Sequence, residues 1–242
     1  MKIFKPGINI FLLLVILSTA VNCFAQSDEP INTDRPDQSD GVYILPKSKL
    51  QVENGITIAD ETLLNNFMLR YGITGSTETR VLLDAGKSED KNGLLPVTFS
   101  IKQRIIKQDK VIPAITFAGY VGFERLSSKD FYGKGVPVEL KLAFEHELSE
   151  KFSLGYNVGT SDWFKNLNLT CGISYSPVNR FSTFLEYFST FENSISAHNI
   201  DAGILFMVKP NLQLDIAGGR SLFDTRKRMF LTMGISYRFD RL

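Results

Sequence analysis

From residue 48 onward the chain is written in segments of roughly ten residues in which every second side chain is apolar. In one of them Val138, Leu140, Leu142, Phe144 and Leu148 share a face with His146, while Glu139, Lys141, Ala143, Glu145 and Glu147 share the other. In the last, Met229, Leu231, Met233, Ile235, Tyr237 and Phe239 alternate with Thr232, Gly234, Ser236 and Arg238. Successive side chains point to opposite faces only in a strand, so this period excludes an amphipathic helix. Twelve such segments are expected, at 48–59, 62–71, 78–84, 95–106, 111–124, 136–148, 152–160, 166–175, 180–189, 198–208, 211–220 and 229–239, the third being the least regular. Connectors near 72–77, 107–110, 149–151, 176–179 and 209–211 are short and polar. Those near 86–94, 126–135, 160–165, 190–197 and 222–228 are mostly longer and more charged. An even strand count with short turns at one end and longer loops at the other describes an all-β, transmembrane, antiparallel up-and-down barrel. Both termini then fall on the short-turn, periplasmic side.

A soluble sandwich or lipocalin-like barrel also alternates, but turns its apolar face inward. Here the small residues Gly, Ser, Asn and Thr share their face with charges, as in a watered interior. Aromatics gather near segment ends (Tyr71, Phe123, Phe152, Tyr175, Phe181, Tyr187, Tyr237, Phe239), as membrane-interface girdles do. The N-terminus adds an address. Lys2 and Lys5 precede an apolar run from Ile8 to Leu17 and a small-residue exit ending at Ala25, which reads as a secretory signal peptide over 1–25. The run is shorter than the ~20 residues of a membrane-spanning helix. Lipidation of Cys23 is the competing reading, and Asn22 is a poor residue to stand before such a cysteine. Without 1–25 the chain holds 25 basic and 26 acidic residues, a balance that offers nothing to nucleic acid. Cys171 is then the only cysteine, which excludes an internal disulfide, and with only His146 and His198 beside it no zinc site is expected. No phosphate loop, dinucleotide fingerprint or calcium loop is present, and no cofactor is expected.

Two motifs carry a family resemblance. Ile31-Asn32-Thr33-Asp34-Arg35-Pro36-Asp37-Gln38-Ser39 leads through Pro46-Lys47 into a strand beginning Leu50-Gln51-Val52-Glu53-Asn54-Gly55, and the chain closes on Gly234-Ile235-Ser236-Tyr237-Arg238-Phe239. This resembles a bacterial family of outer-membrane transporters named after the meta-pathway of phenol degradation, whose members open with a Thr-Asp-Arg-Pro-Asp motif and end in a Gly-x-Ser-Tyr-Arg-Phe strand. The resemblance implies an outer-membrane barrel over 48–242 and a role in transport.

The parity of the apolar face also names the lumen. Glu53, Glu139, Glu145, Glu147, Glu186, Asp201 and Asp215 are expected inward as acids, and Arg70, Arg80, Lys102, Arg104, Lys141 and Arg238 as bases. Near-balance describes either ion pairs that brace a narrow barrel or a polar conduit with little charge preference. Residues 26–47 form a periplasmic segment in which Pro30, Pro36 and Pro46 argue against helix or paired strand. Its Asp34, Arg35 and Asp37 are candidates to enter the lumen and pair with wall charges as a partial plug; the alternative is an untethered tail. The expected partners are outer-membrane lipid and a small-molecule solute, including small aromatic or other organic solutes. The function expected is passive movement of such solutes, with no enzymatic activity. A closed structural barrel with partner-binding loops is the alternative. Outer-wall lipid hydrolysis is weaker still: Ser196 stands two positions before His198, but the sequence offers no third member to orient the histidine.

Overall fold

The computed structural model describes residues 30–192, 195–225 and 228–239; the expected signal peptide and the loop residues Arg226 and Lys227 lie outside them. Thirteen strands follow in order: β1 (Leu50–Ala59), β2 (Thr62–Gly72), β3 (Thr77–Ser88), β4 (Lys91–Leu94), β5 (Val97–Ile106), β6 (Ala114–Phe123), β7 (Val138–Glu147), β8 (Phe152–Ser161), β9 (Asn166–Val178), β10 (Phe181–Glu192), β11 (Ile195–Lys209), β12 (Leu212–Leu222) and β13 (Met229–Phe239). They make twelve staves. β4 pairs with 85–88 of β3 and β5 with 77–82 of the same strand, so the two are one stave interrupted at Leu95-Pro96. Pro96 has no N–H to give the ladder, which accounts for the break.

Every stave pairs antiparallel with its sequence neighbours, and β1 pairs with β13 from Leu50↔Phe239 to Ala59↔Phe230, closing the barrel. Closure leaves no sheet edge, so ladder N–H and C=O groups are satisfied within the wall, as a span through lipid requires. Strands of 10–15 residues are long enough for a tilted crossing. The loops are shorter than the sequence led us to expect at two places. Residues 86–88 and 91–94 are strand joined by a tight turn at Glu89-Asp90, and β10 and β11 extend into the region read as a connector at 190–197. The long connection is 124–137, which carries two 3-10 turns, Glu124–Leu126 and Lys129–Phe131, and is tied to the next loop by Trp163 Nε1 donating to the Val136 carbonyl at 2.8 Å.

The outer wall is apolar and the inner wall polar. Ile56, Ile58, Leu185, Ile204, Leu214, Ile216, Leu231 and Met233 are exposed outward, and Gln51, Glu53, Arg70, Arg80, Lys102, Ser236 and Arg238 are buried inside. A soluble protein inverts this arrangement. Stacked rings Phe152–Tyr175 (4.6 Å) and the edge-to-face pair Tyr237–Phe239 (4.8 Å) lie at the short-turn rim, and Phe99–Phe123 (5.8 Å) near the opposite rim. Of the aromatics expected at segment ends, Phe152, Tyr175, Tyr237 and Phe239 thus lie at one rim and Phe123 near the other. Ile216 sits mid-strand between Ile204 and Met233 on this outer face. Ile216→Arg is therefore expected to cost about 2–4 kcal/mol, read by denaturant titration of protein folded into liposomes. An unchanged titration would place this face in water.

Candidate functional site

The barrel is occupied. Residues 30–47 form neither helix nor strand. They enter at the short-turn end, where Ile31 N–H donates to the Pro210 carbonyl at 2.6 Å, and return there, where Ser48 N–H donates to the Gly72 carbonyl at 2.8 Å. Between these points the segment crosses the lumen. Its Ile31, Ile44 and Leu45 are among the most deeply buried apolar side chains described. Burying each contributes about 2 kcal/mol. Apart from its ends, the segment is held mainly by side chains rather than by a ladder.

One sector of the wall is a basic patch. Arg70 on β2 stands directly opposite Arg80 on β3, and Lys102 on β5 stands directly opposite Glu78, two residues before Arg80 on the same face of β3. Like charges face to face destabilise a sheet, and here acids offset them. Arg70 makes a fork with Glu78 (3.0 and 3.0 Å) and reaches Glu53 at 2.8 Å. Asp34 accepts from Arg80 at 2.9 Å and Lys102 at 2.8 Å, and lies 3.6 Å from Arg70. Asp40 accepts from Arg80 at 2.8 Å and pairs with Lys141 at 2.9 Å, and takes the Tyr120 hydroxyl as well. Thus two acids of the segment complete a wall that would otherwise be left with excess positive charge. Burial opposes ionisation of Asp34, but Arg70, Lys102 and Arg80 outweigh it and hold its carboxyl down at about 2.

Arg35 points to a different sector. Its guanidinium lies on the paired glycines Gly55 and Gly234, where a Cβ on either would overlap it, and donates to Thr232 at 2.9 Å and Asp215 at 3.3 Å. Adjacent residues of the motif therefore clamp a basic and an acidic part of the wall. Asp37 does not follow them. Among the described residues it forms no ion pair; burial, then Glu186, Asp34 and Asp201, push its carboxyl well above the usual range. Glu186 instead accepts the Gln38 N–H at 2.8 Å and the Ser39 hydroxyl. A cavity of about 370 Å³ remains beside the segment, lined by Asp34, Arg35, Thr57, Asn66, Asp84 and Phe230 among others.

Of the residues expected inward, Glu53, Arg70, Arg80, Lys102, Lys141, Glu186, Asp201, Asp215 and Arg238 are buried within the barrel or nearly so. Glu139 pairs with Lys141 at 3.1 Å, and Arg238 donates to the Pro30 carbonyl at 3.2 Å. Glu145 is half-buried. Arg104 and Glu147 lie at the short-turn rim, Arg104 donating to the Gly75 carbonyl and Glu147 exposed, its main chain paired with Gln108. Sequence reasoning missed Glu78, Asp84, Tyr120 and Asp40. Glu78 and Asp84 have the parity of Arg80, but the weak alternation of their segment hid them. It also missed inward rings, Phe184, Phe188 and Phe230. On the outer wall, His198 Nε2 lies 3.0 Å from Ser196 Oγ, and its Nδ1 2.6 Å from the Tyr187 hydroxyl, with Phe191 and Phe223 packed around the ring. Among the described residues no carboxylate hydrogen-bonds this histidine, and we read the group as polar contacts within the aromatic belt.

Comparison with known proteins agrees with this architecture. The family model described as "Putative MetA-pathway of phenol degradation" matches residues 33–239. The KdgM porin superposes with a TM-score of 0.61 at 9% identity, covering 78% of this chain and 99% of that one. The KdgM porin in complex with disordered oligogalacturonate gives 0.62 at 10% identity, with 78% and 99% covered. The NanC porin gives 0.58 at 9% identity, with 78% and 98% covered. At these identities the likeness is one of fold. No curated protein matches the sequence significantly.

Proposed function

Because the chain belongs to that phenol-degradation family, we propose that it is an outer-membrane channel through which small organic solutes move passively, with residues 30–47 acting as a plug in the lumen. One observation carries this reading: a closed barrel with an apolar exterior encloses a polar bore whose obstruction is joined to the wall mainly by side-chain contacts. A plug built into the ladder would be part of the wall. One held by ion pairs is removable without breaking a strand, so docked and undocked states differ in a few contacts and the barrel survives either. The lumen charges brace the plug when it is docked and line the path when it is not, which joins the two roles their balance allows. Removal of the leader peptide over 1–25 and placement of the short turns in the periplasm complete the proposal.

The chain is not read as an enzyme. Catalysis of the outer-wall type needs a nucleophile, a base, an orienting group and donors for a developing oxyanion, and the Ser196–His198–Tyr187 group supplies at most the first three. The test is electrical. The mature chain inserted in a planar bilayer is expected to show discrete conductance steps in potassium chloride. A barrel that stays silent both intact and with residues 30–47 deleted would overturn the channel reading in favour of a sealed structural barrel.

A further inference from the structure

We infer that the inner wall of β10–β13 carries a binding site for an organic cation, an ammonium group borne on an apolar or aromatic body; the inference deepens the channel reading by naming a solute class. Glu186 and Asp201 stand directly opposite each other on β10 and β11, both facing inward and both almost fully buried. Two carboxylates in that register repel. The basic patch across the lumen shows how this protein resolves such a conflict, by bringing Asp34 between Arg70 and Arg80. Among the described residues no base forms an ion pair with Glu186 or Asp201, and the plug gives Glu186 only the neutral Gln38 N–H and Ser39 hydroxyl. The base that the plug sends to this side, Arg35, is spent on Asp215 and Thr232. The plug instead adds a third acid, Asp37, close enough to both for their charges to act on it. Both oxygens of Asp201 are buried with no hydrogen-bond partner among the described residues.

The surroundings indicate which cation. The Phe188 and Phe230 rings meet edge to face at 6.3 Å. The Phe230 ring lies on Gly219, the cross-strand partner of Asp201: a Cβ there would come within 2.6 Å of both Phe230 Cζ and Asp201 Cβ. Phe184 lies in the same way on Gly203, so the carboxylates are set among rings that glycines on the neighbouring strands allow to lie flat. A metal ion would need converging ligands, and among the described residues no three His, Cys, Asp or Glu side chains come together to hold one. A buried carboxylate without partners, opposite a second acid and beside aromatic faces, suits an alkylammonium, whose diffuse charge gains from ring quadrupoles as well as from the acids. An anionic solute meets only acids here, and the lumen bases Arg70, Arg80, Lys102 and Lys141 are already engaged by acids.

The test uses the mature full-length chain in detergent and titration calorimetry, with benzyltrimethylammonium and benzenesulfonate as probes. The ammonium is expected to bind and the sulfonate not. Asp201→Asn, and separately Glu186→Gln, should weaken ammonium binding about tenfold or more, while Glu147→Gln at the rim leaves it unchanged. Equal affinity for the two probes, no binding of the ammonium, or binding indifferent to both substitutions would overturn the inference. Because binding is read without flux, these outcomes are separate from the conductance test: a conducting barrel that ignores the ammonium loses this site and keeps its channel.

Discussion

Deleting residues 30–47 is expected to raise single-channel conductance several-fold and to turn the pore toward anions. A twelve-strand barrel lies between the eight-strand type filled by its own side chains and the sixteen-strand porin with an aqueous channel, so what occupies its lumen decides whether it conducts. Here the occupant brings Ile31, Ile44 and Leu45 into the bore and fills space that side chains of the wall leave. Its removal withdraws the acids Asp34, Asp37 and Asp40 against the bases Arg35 and Lys47, a net loss of one negative charge, and Asp34 and Asp40 both come away from the basic patch. Arg80 and Lys102 then face the pore without their plug partners, while Arg70 keeps Glu53 and Glu78. Charge uncovered on a pore wall selects for its opposite. Reversal potentials in a salt gradient would show the shift. Conductance equal to that of the intact chain would mean the segment does not obstruct the path.

Asp34→Ala should release the plug without unfolding the barrel. Removing one partner from a buried charge cluster costs about 3–5 kcal/mol, because the others stay buried and unpaired. Asp34 serves Arg80, Lys102 and Arg70 at once. A loss of that size should speed hydrogen exchange of residues 31–45 by about a hundredfold or more, with the strands little changed. If those amides exchange as slowly as in the parent, the clamp is elsewhere. The effect has a pH counterpart. Asp34 moves from an ordinary 3.8 down to about 2 on docking, and Asp40 moves the same way, drawn down chiefly by Lys141 and Arg80 against its burial. A lowered carboxyl stabilises docking above its undocked value, and that contribution is lost as pH falls toward the docked one. The plug should therefore loosen below about pH 4. Asp37 has the opposite sign: its raised carboxyl favours docking at low pH and opposes it once ionised. Asp37→Asn should slow exchange of the same amides at neutral pH.

Much of the wall was legible beforehand because a strand's period is 2, and one greasy face assigns every side chain to lipid or lumen. Val138 through Glu147, and Met229 through Phe239, needed no tertiary information. The reading weakened where alternation did. Leu82 faces inward within β3, blurring the parity that would have revealed Glu78 and Asp84. Strand ends near residues 88 and 192 read as loops because charge and turn residues there resemble connectors, although ladder bonds continue through them. The segment before β1 was legible only by exclusion: its prolines ruled out helix and ladder, and its charges identified candidates for contact but no partners.

Local periodicity determined the class of fold, the direction in which each strand's side chains point and the set of charges inside, since these depend only on neighbours two positions apart. Partnership was decided by closure of the barrel. Local hairpins set Arg70 opposite Arg80 and Glu186 opposite Asp201, but only the closed barrel with the segment inside it brings Asp34 to Arg70 and Arg80 and, among the described residues, leaves Glu186 and Asp201 without an ion-pairing base. Electrostatic pairing depends on distances across the lumen, and no sequence spacing encodes those.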